Sequence, residues 1–189
     1  MKNILTAISQ IDFLTWLWIF VFAFALHEVE EWNILSWYQR NYVDLPPSTN
    51  KAIRAWIVFV ILVALVWCLV ATLPGNQVLA AYVLFPAIAI AMQNAFQHLS
   101  WQLYFKQYAP GIITAILCLI PLGIYLFVGA VWQELVPIWY AGMLVLLIIP
   151  GLVQTVKAKN RMTPQIRAIH HLGIKLAGLL ERFLFTESV

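Results

Sequence analysis

A chain of 189 residues that is 63% hydrophobic and 10% charged, with a mean hydropathy of +0.85, has too little polar surface for a water-soluble domain. Its formal net charge of +3 is spread over loops and a tail without a basic stripe. That excludes a nucleic-acid-binding face and leaves charge as a signal of membrane topology.

The first apolar run follows Lys2, and Ala23-Phe24-Ala25 gives it the look of a signal peptide. It is long enough to cross a bilayer and is expected to remain as a helix. A spanning helix takes about 20 mostly apolar residues for a hydrocarbon core about 30 Å thick. Five segments qualify, at residues 12–37, 52–73, 78–104, 112–132 and 136–156. The links between them are short, including Pro46-Pro47, Pro74-Gly75-Asn76 and Pro110-Gly111, which makes consecutive spans antiparallel. Cys68 and Cys118 fall at different depths, too far apart to bridge, and read as small buried hydrophobes.

Basic residues fall on one side: Arg40, Lys51 and Arg54 at the first link, Lys106 at the third, and Lys157, Lys159 and Arg161 after the last span, against Lys2 alone on the other. The positive-inside rule then predicts an outside N-terminus and a cytoplasmic C-terminus, in the plasma (inner) membrane of a bacterium. Thr163-Pro164 reads as an N-cap with proline at the first helical position. Beyond it Ile166, Ile169, Leu172, Leu176, Leu179, Leu180 and Phe183 recur at helical spacing opposite Arg167, His171, Lys175 and Arg182. The expected architecture is all-α: a polytopic bundle of five transmembrane helices over residues 1–156, then a basic amphipathic interfacial helix over residues 157–189. That helix lies on the inner membrane surface or packs against the cytoplasmic end of the bundle.

The chemistry gathers at Ala25-Leu26-His27-Glu28-Val29-Glu30-Glu31-Trp32. A carboxylate near a bilayer centre costs about 2.5–3.5 kcal/mol, so a histidine and three carboxylates at the end of an apolar run need a reason. On a helix His27, Glu30 and Glu31 sit at i, i+3 and i+4 and share a face, from which Glu28 points roughly away. The third span carries Gln93, Asn94, Gln97, His98 and Gln102 on an otherwise apolar helix. Spans one and three run in the same direction, and counting about 1.5 Å per residue puts His27–Glu31 and Asn94–His98 in one slab. Thr114, Gln154 and Thr155 fall where they can close the rim of a shared cavity, and Trp32 and Trp101 where they can line it.

Two histidines with one or two carboxylates make a ligand set for a divalent metal: zinc, iron or manganese. His27 and His98 are the expected ligands, with Glu30 or Glu31 completing the set. The other carboxylate serves as a general base or orients a ligand histidine, with Asn94 as a hydrogen-bonding helper. The plainer alternative is a polar network locking two spans, each interhelical bond worth about 0.6 kcal/mol. So many ionisable groups in one slab exceed what that needs. His-Glu-x-x-His, paired Glu-x-x-His, a glycine-rich phosphate loop, Gly-x-Ser-x-Gly and Cys-x-x-Cys are all missing from the sequence.

His27-Glu28-Val29-Glu30-Glu31, with the later Asn94-x-x-x-His98 and Tyr108-x-Pro110-Gly111-x-x-Thr114, resembles the HXXEE-motif membrane proteins over most of the chain before the tail. The resemblance implies that His27, Glu30 and Glu31 matter, and names no reaction. The functional expectation is a metal-dependent integral membrane enzyme acting on a lipid or amphipathic substrate from the inner leaflet, by hydrolysis, oxidation or metal-free isomerisation. Membrane lipids are its expected partners and nucleic acid is not. The alternatives are a cation or proton transporter using the same residues, and a non-catalytic membrane scaffold.

Overall fold

The computed structural model describes residues 11–185, and no strand occurs among the described residues. Lys2, the sole basic residue expected on the outer side, lies outside them. Seven helices follow in order: α1 Phe13–Glu30, α2 Leu35–Asn41, α3 Asn50–Thr72, α4 Gln77–Phe105, α5 Ile112–Trp132, α6 Ile138–Ala158 and α7 Pro164–Phe185. Five of them, α1 and α3 to α6, are long and apolar enough to cross a membrane.

Polar side chains start three of these spans. Asp12, Thr49 and Asn76 accept the backbone N–H of Thr15 at 3.1 Å, Ala52 at 3.2 Å and Leu79 at 3.0 Å, satisfying donors that a first helical turn leaves free. The first span is shorter than the apolar run suggests. Glu31 N–H is shared between the carbonyls of His27 and Glu28, and Trp32 and Ile34 bond three residues back at 3.1 and 2.8 Å. This tightening ends α1 at Glu30 before the chain resumes as α2. The acidic cluster therefore sits at the end of a membrane helix, where the backbone turns.

The core is organised on α4, which packs against α1, α3, α5 and α6; half of its most apolar window is buried. In α3 the share is 17%, and Leu62, Val66 and Val70 stay exposed, as a lipid-facing surface requires. A π-helical turn, Ala115–Leu119, follows Thr114 within α5; such turns often accompany functional sites.

Helix α7 starts at Pro164, as the Thr163-Pro164 pair predicts. It packs along α3, burying Ile166, His170, Gly173 and Ala177. Gly173 passes so near the Ala52 carbonyl that a Cβ there would come within 2.6 Å of the oxygen. Leu172, Leu179, Leu180 and Phe183 form a second apolar stripe that stays exposed. Asp44 holds the approach to this helix, accepting Met162 N–H at 2.9 Å and pairing with Arg167. Helices α3 and α6 make no extended contact with one another, and the gap between them borders the site described next.

Candidate metal centre

His27 and Glu31 come from the end of α1, and His98 faces them from α4. Oε1 of Glu31 lies 3.2 Å from Nε2 of His27 and 2.9 Å from Nε2 of His98, and the three potential ligand atoms lie within 4.8 Å of one another. Both histidines are fully buried, and Glu31 is 9% exposed. Among the described residues neither ring nitrogen of His98 nor Oε1 of Glu31 makes a hydrogen bond. Their 2.9 Å approach has the distance of an ion pair without the direction of a hydrogen bond. The two imidazoles meet edge to face with centroids 4.9 Å apart, and Trp101 packs on the far side of His98 at 4.8 Å.

Glu30 is occupied elsewhere. Its Oε1 accepts the Tyr108 hydroxyl at 2.7 Å and Ile113 N–H at 3.2 Å, and its Oε2 accepts Thr114 N–H at 2.9 Å and the Thr114 hydroxyl at 2.6 Å. It thus caps α5 from another helix, a carboxylate at a helix N-terminus where backbone donors and the helix dipole favour negative charge. Burial, and then the bond to Glu30, push the Tyr108 phenol up to about 12. The Thr114 hydroxyl, having donated to Glu30, accepts from Nδ1 of His27 at 2.9 Å. That network puts the His27 proton on Nδ1 and leaves Nε2 with its lone pair facing Glu31 and His98. Asn94 Nδ2 donates to the same Nε2 at 3.1 Å.

The two rings touch because residue 111 is glycine. Its φ is +94°, and a Cβ there would stand 2.8 Å from atoms of the His98 ring and 2.9 Å from Cε1 of His27. Both the left-handed backbone and the contact exclude a side chain.

Beside the centre lies a cavity of about 630 Å³ whose lining includes Glu28, Glu31, Gln93, Asn94, Gln97 and Thr155. Glu28 is 6% exposed and lines this space; the spacing of the motif had pointed it away. The physical reason is the 100° advance per residue, which makes Glu31 a closer angular neighbour of Glu28 than of Glu30. Thr155 accepts from the Gln97 amide at 3.0 Å, and Gln154 lines the rim. Thr114 closes no rim and instead fixes His27. Trp32 and Trp101 line no part of the cavity: Arg54 stacks over Trp32 at 5.3 Å and Trp101 backs His98, while Trp56 and Trp67 form wall.

The model of the family described as "Protein of unknown function with HXXEE motif" matches residues 18–126, more than half of the chain. The chain belongs to the HXXEE-motif family. No match appears among curated proteins or among solved structures. In this HXXEE-motif protein the three motif residues part ways: His27 and Glu31 turn to His98, and Glu30 turns to Thr114 and the start of α5.

Proposed function

We propose that this HXXEE-motif protein is a metal-dependent integral membrane enzyme acting on a lipid or other amphipathic substrate, with His27, Glu31 and His98 as ligands of one divalent cation. The observation that carries the proposal is the convergence of three buried ligand atoms within 4.8 Å, with His98 and Oε1 of Glu31 free of hydrogen bonds among the described residues. Zinc ligation at about 2.0–2.2 Å sets ligand atoms roughly 3.3 Å apart in a tetrahedron, and the separations of 2.9 and 3.2 Å come near that spacing. Two imidazoles and a carboxylate suit zinc, iron or manganese and leave coordination positions open. A cation there supplies Lewis acidity or an activated water for hydrolysis, or an iron centre for oxidation.

The roles of the chain's own groups follow from their partners. Glu31 is the carboxylate ligand. Glu30 is a positioning residue that acts through Thr114 on His27, the arrangement in which the second nitrogen of a ligand imidazole is tied down. In this structure the Asn94 amide holds the Nε2 lone pair of His27; when that nitrogen takes a cation, the amide would turn to the cavity it lines. The basic residues at 40, 51, 54, 106 and 157–161 favour a cytoplasmic C-terminus and an outside N-terminus in a bacterial plasma membrane.

Elemental analysis of the purified protein tests the centre. Near-stoichiometric zinc, iron or manganese, lost in His98→Ala, is the expected result. A metal-free wild type that binds none of these cations on titration would remove the proposal. Cation or proton flux in proteoliposomes, abolished in Glu31→Gln, would move the same residues to a transporter.

A further inference from the structure

Helix α4 is the most buried of the spans, yet Ile90 in its middle is 70% exposed while Ala89 and Ala91 on either side are buried. Ile90 lines the cavity, as do residues of α3 and α6 on either side of it. The exposure of Ile90 and the lack of extended contact between α3 and α6 point to a side opening of the cavity between these two spans. Its walls there are apolar, with Val63 and Trp67 on α3 and Leu147 on α6.

The inner end is different. Glu28 and Glu31 are both there, beside the amides of Gln93, Asn94 and Gln97, and no lysine or arginine lines any part of the space. His170, at the tail-helix end, is bonded to Ser48 at 2.6 Å. Glu31 faces two imidazoles, whereas the Glu28 carboxyl group has no hydrogen-bond partner among the described residues. A buried carboxyl group without a partner leaves its oxygen acceptors unsatisfied, and a ligand that brings N–H donors satisfies them. An anionic head in the same place would meet two acidic side chains with no lysine or arginine among the lining residues.

We propose that this cavity binds a single-chain amphiphile with an amine or ammonium head, which enters from the bilayer between α3 and α6 and donates its N–H groups to Glu28. The proposal rests on the reading that the cavity serves a membrane-borne substrate, and it names the class of that substrate. Glu28 is then a specificity residue, distinct from the three metal ligands.

The test uses the full chain in nanodiscs of neutral lipid, treated with chelator so that no metal can attract an anionic head. Tritiated hexadecylamine is the probe, with unlabelled hexadecylamine, hexadecanol and hexadecanoate as competitors. The amine should compete about tenfold better than the alcohol or the acid, the effect of a hydrogen bond to a charged group. Glu28→Gln should bring the three within about twofold. Val63→Trp, at the lipid-facing mouth, should weaken all three and does not touch the polar end. Equal competition by the acid, a preference that survives in Glu28→Gln, or full binding in Val63→Trp would overturn the proposal. If Glu28→Gln does not fold, the wild-type ranking and Val63→Trp still decide. Elemental analysis of protein set aside before chelation separates the two ideas. Metal without amine preference removes this inference alone, and amine preference without metal removes the enzyme alone.

Discussion

The Thr114 hydroxyl stands 2.9 Å from Nδ1 of His27 and donates its own proton to Glu30 at 2.6 Å. One proton is thereby committed to the carboxylate, and the imidazole N–H finds only an acceptor. The tautomer that presents Nε2 to Glu31 and His98 is therefore set by a residue on a third helix.

Thr114→Val removes that acceptor at almost constant volume. Its metal affinity should fall about 10- to 100-fold, the usual cost of losing the group that orients a ligand histidine. Thr114→Ser should retain most of the affinity. Competition with a chromophoric chelator measures both, and a valine variant that binds as tightly as wild type would show that His27 needs no such orientation.

The two adjacent motif carboxylates should separate cleanly. Glu31→Gln should lose the metal while the helices stay formed. Glu30→Gln should keep near-stoichiometric metal and lose about 1–2 kcal/mol of stability, because a neutral amide caps the first turn of α5 less well. Metal content and detergent-phase unfolding, read on both variants, check the assignment; metal lost equally from both would make Glu30 a ligand too.

Gly111→Ala places a methyl group 2.8 Å from the His98 ring in a backbone with φ of +94°. Strain of this kind costs on the order of 1–3 kcal/mol, and the rings must separate to admit the methyl. A lower unfolding midpoint together with weaker metal binding is expected. A variant indistinguishable from wild type would mean that the close approach of the two imidazoles is dispensable.

The tail helix carries a pH dependence. His170 is buried against Ser48 and Tyr38, and burial, followed by the neighbouring His171, lowers its pKa to about 4 from 6.5. The folded state thus binds this proton less readily than the unfolded state. The stability that depends on neutral His170 is full above about pH 6.5 and is lost progressively as the pH falls towards about 4. Thermal unfolding midpoints across that window should fall more steeply for wild type than for His170→Gln. Parallel curves would mean that the imidazole is not the titrating group.

Much of this was legible in the sequence because membranes restrict what a chain can do. Unpaired backbone is excluded from hydrocarbon, so each long apolar run must be a helix; four of the five spans lie within two residues of their expected bounds, and the first, expected to run to Trp37, ends at Glu30. The slab shared by His27–Glu31 and Asn94–His98 was also readable, since rise per residue converts sequence position into depth. The break after Glu30 was not, because it depends on backbone turns inside an unbroken apolar pattern. Helical spacing also fits two triplets equally, His27 with Glu30 and Glu31 or His27 with Glu28 and Glu31. A helical wheel with 100° steps was the one available signal that Glu28 lies beside Glu31, and it says nothing of which side faces a cavity.

Composition and periodicity by themselves determined that this chain is a five-span helical membrane protein with a histidine and acid cluster facing polar residues on another span. Only the tertiary structure decided what each carboxylate does. Glu30 goes to the start of α5, Glu31 to two imidazoles and Glu28 to an open cavity. That allocation depends on how helices rotate about their axes and which neighbours they meet, and neither is written in the spacing of a single helix.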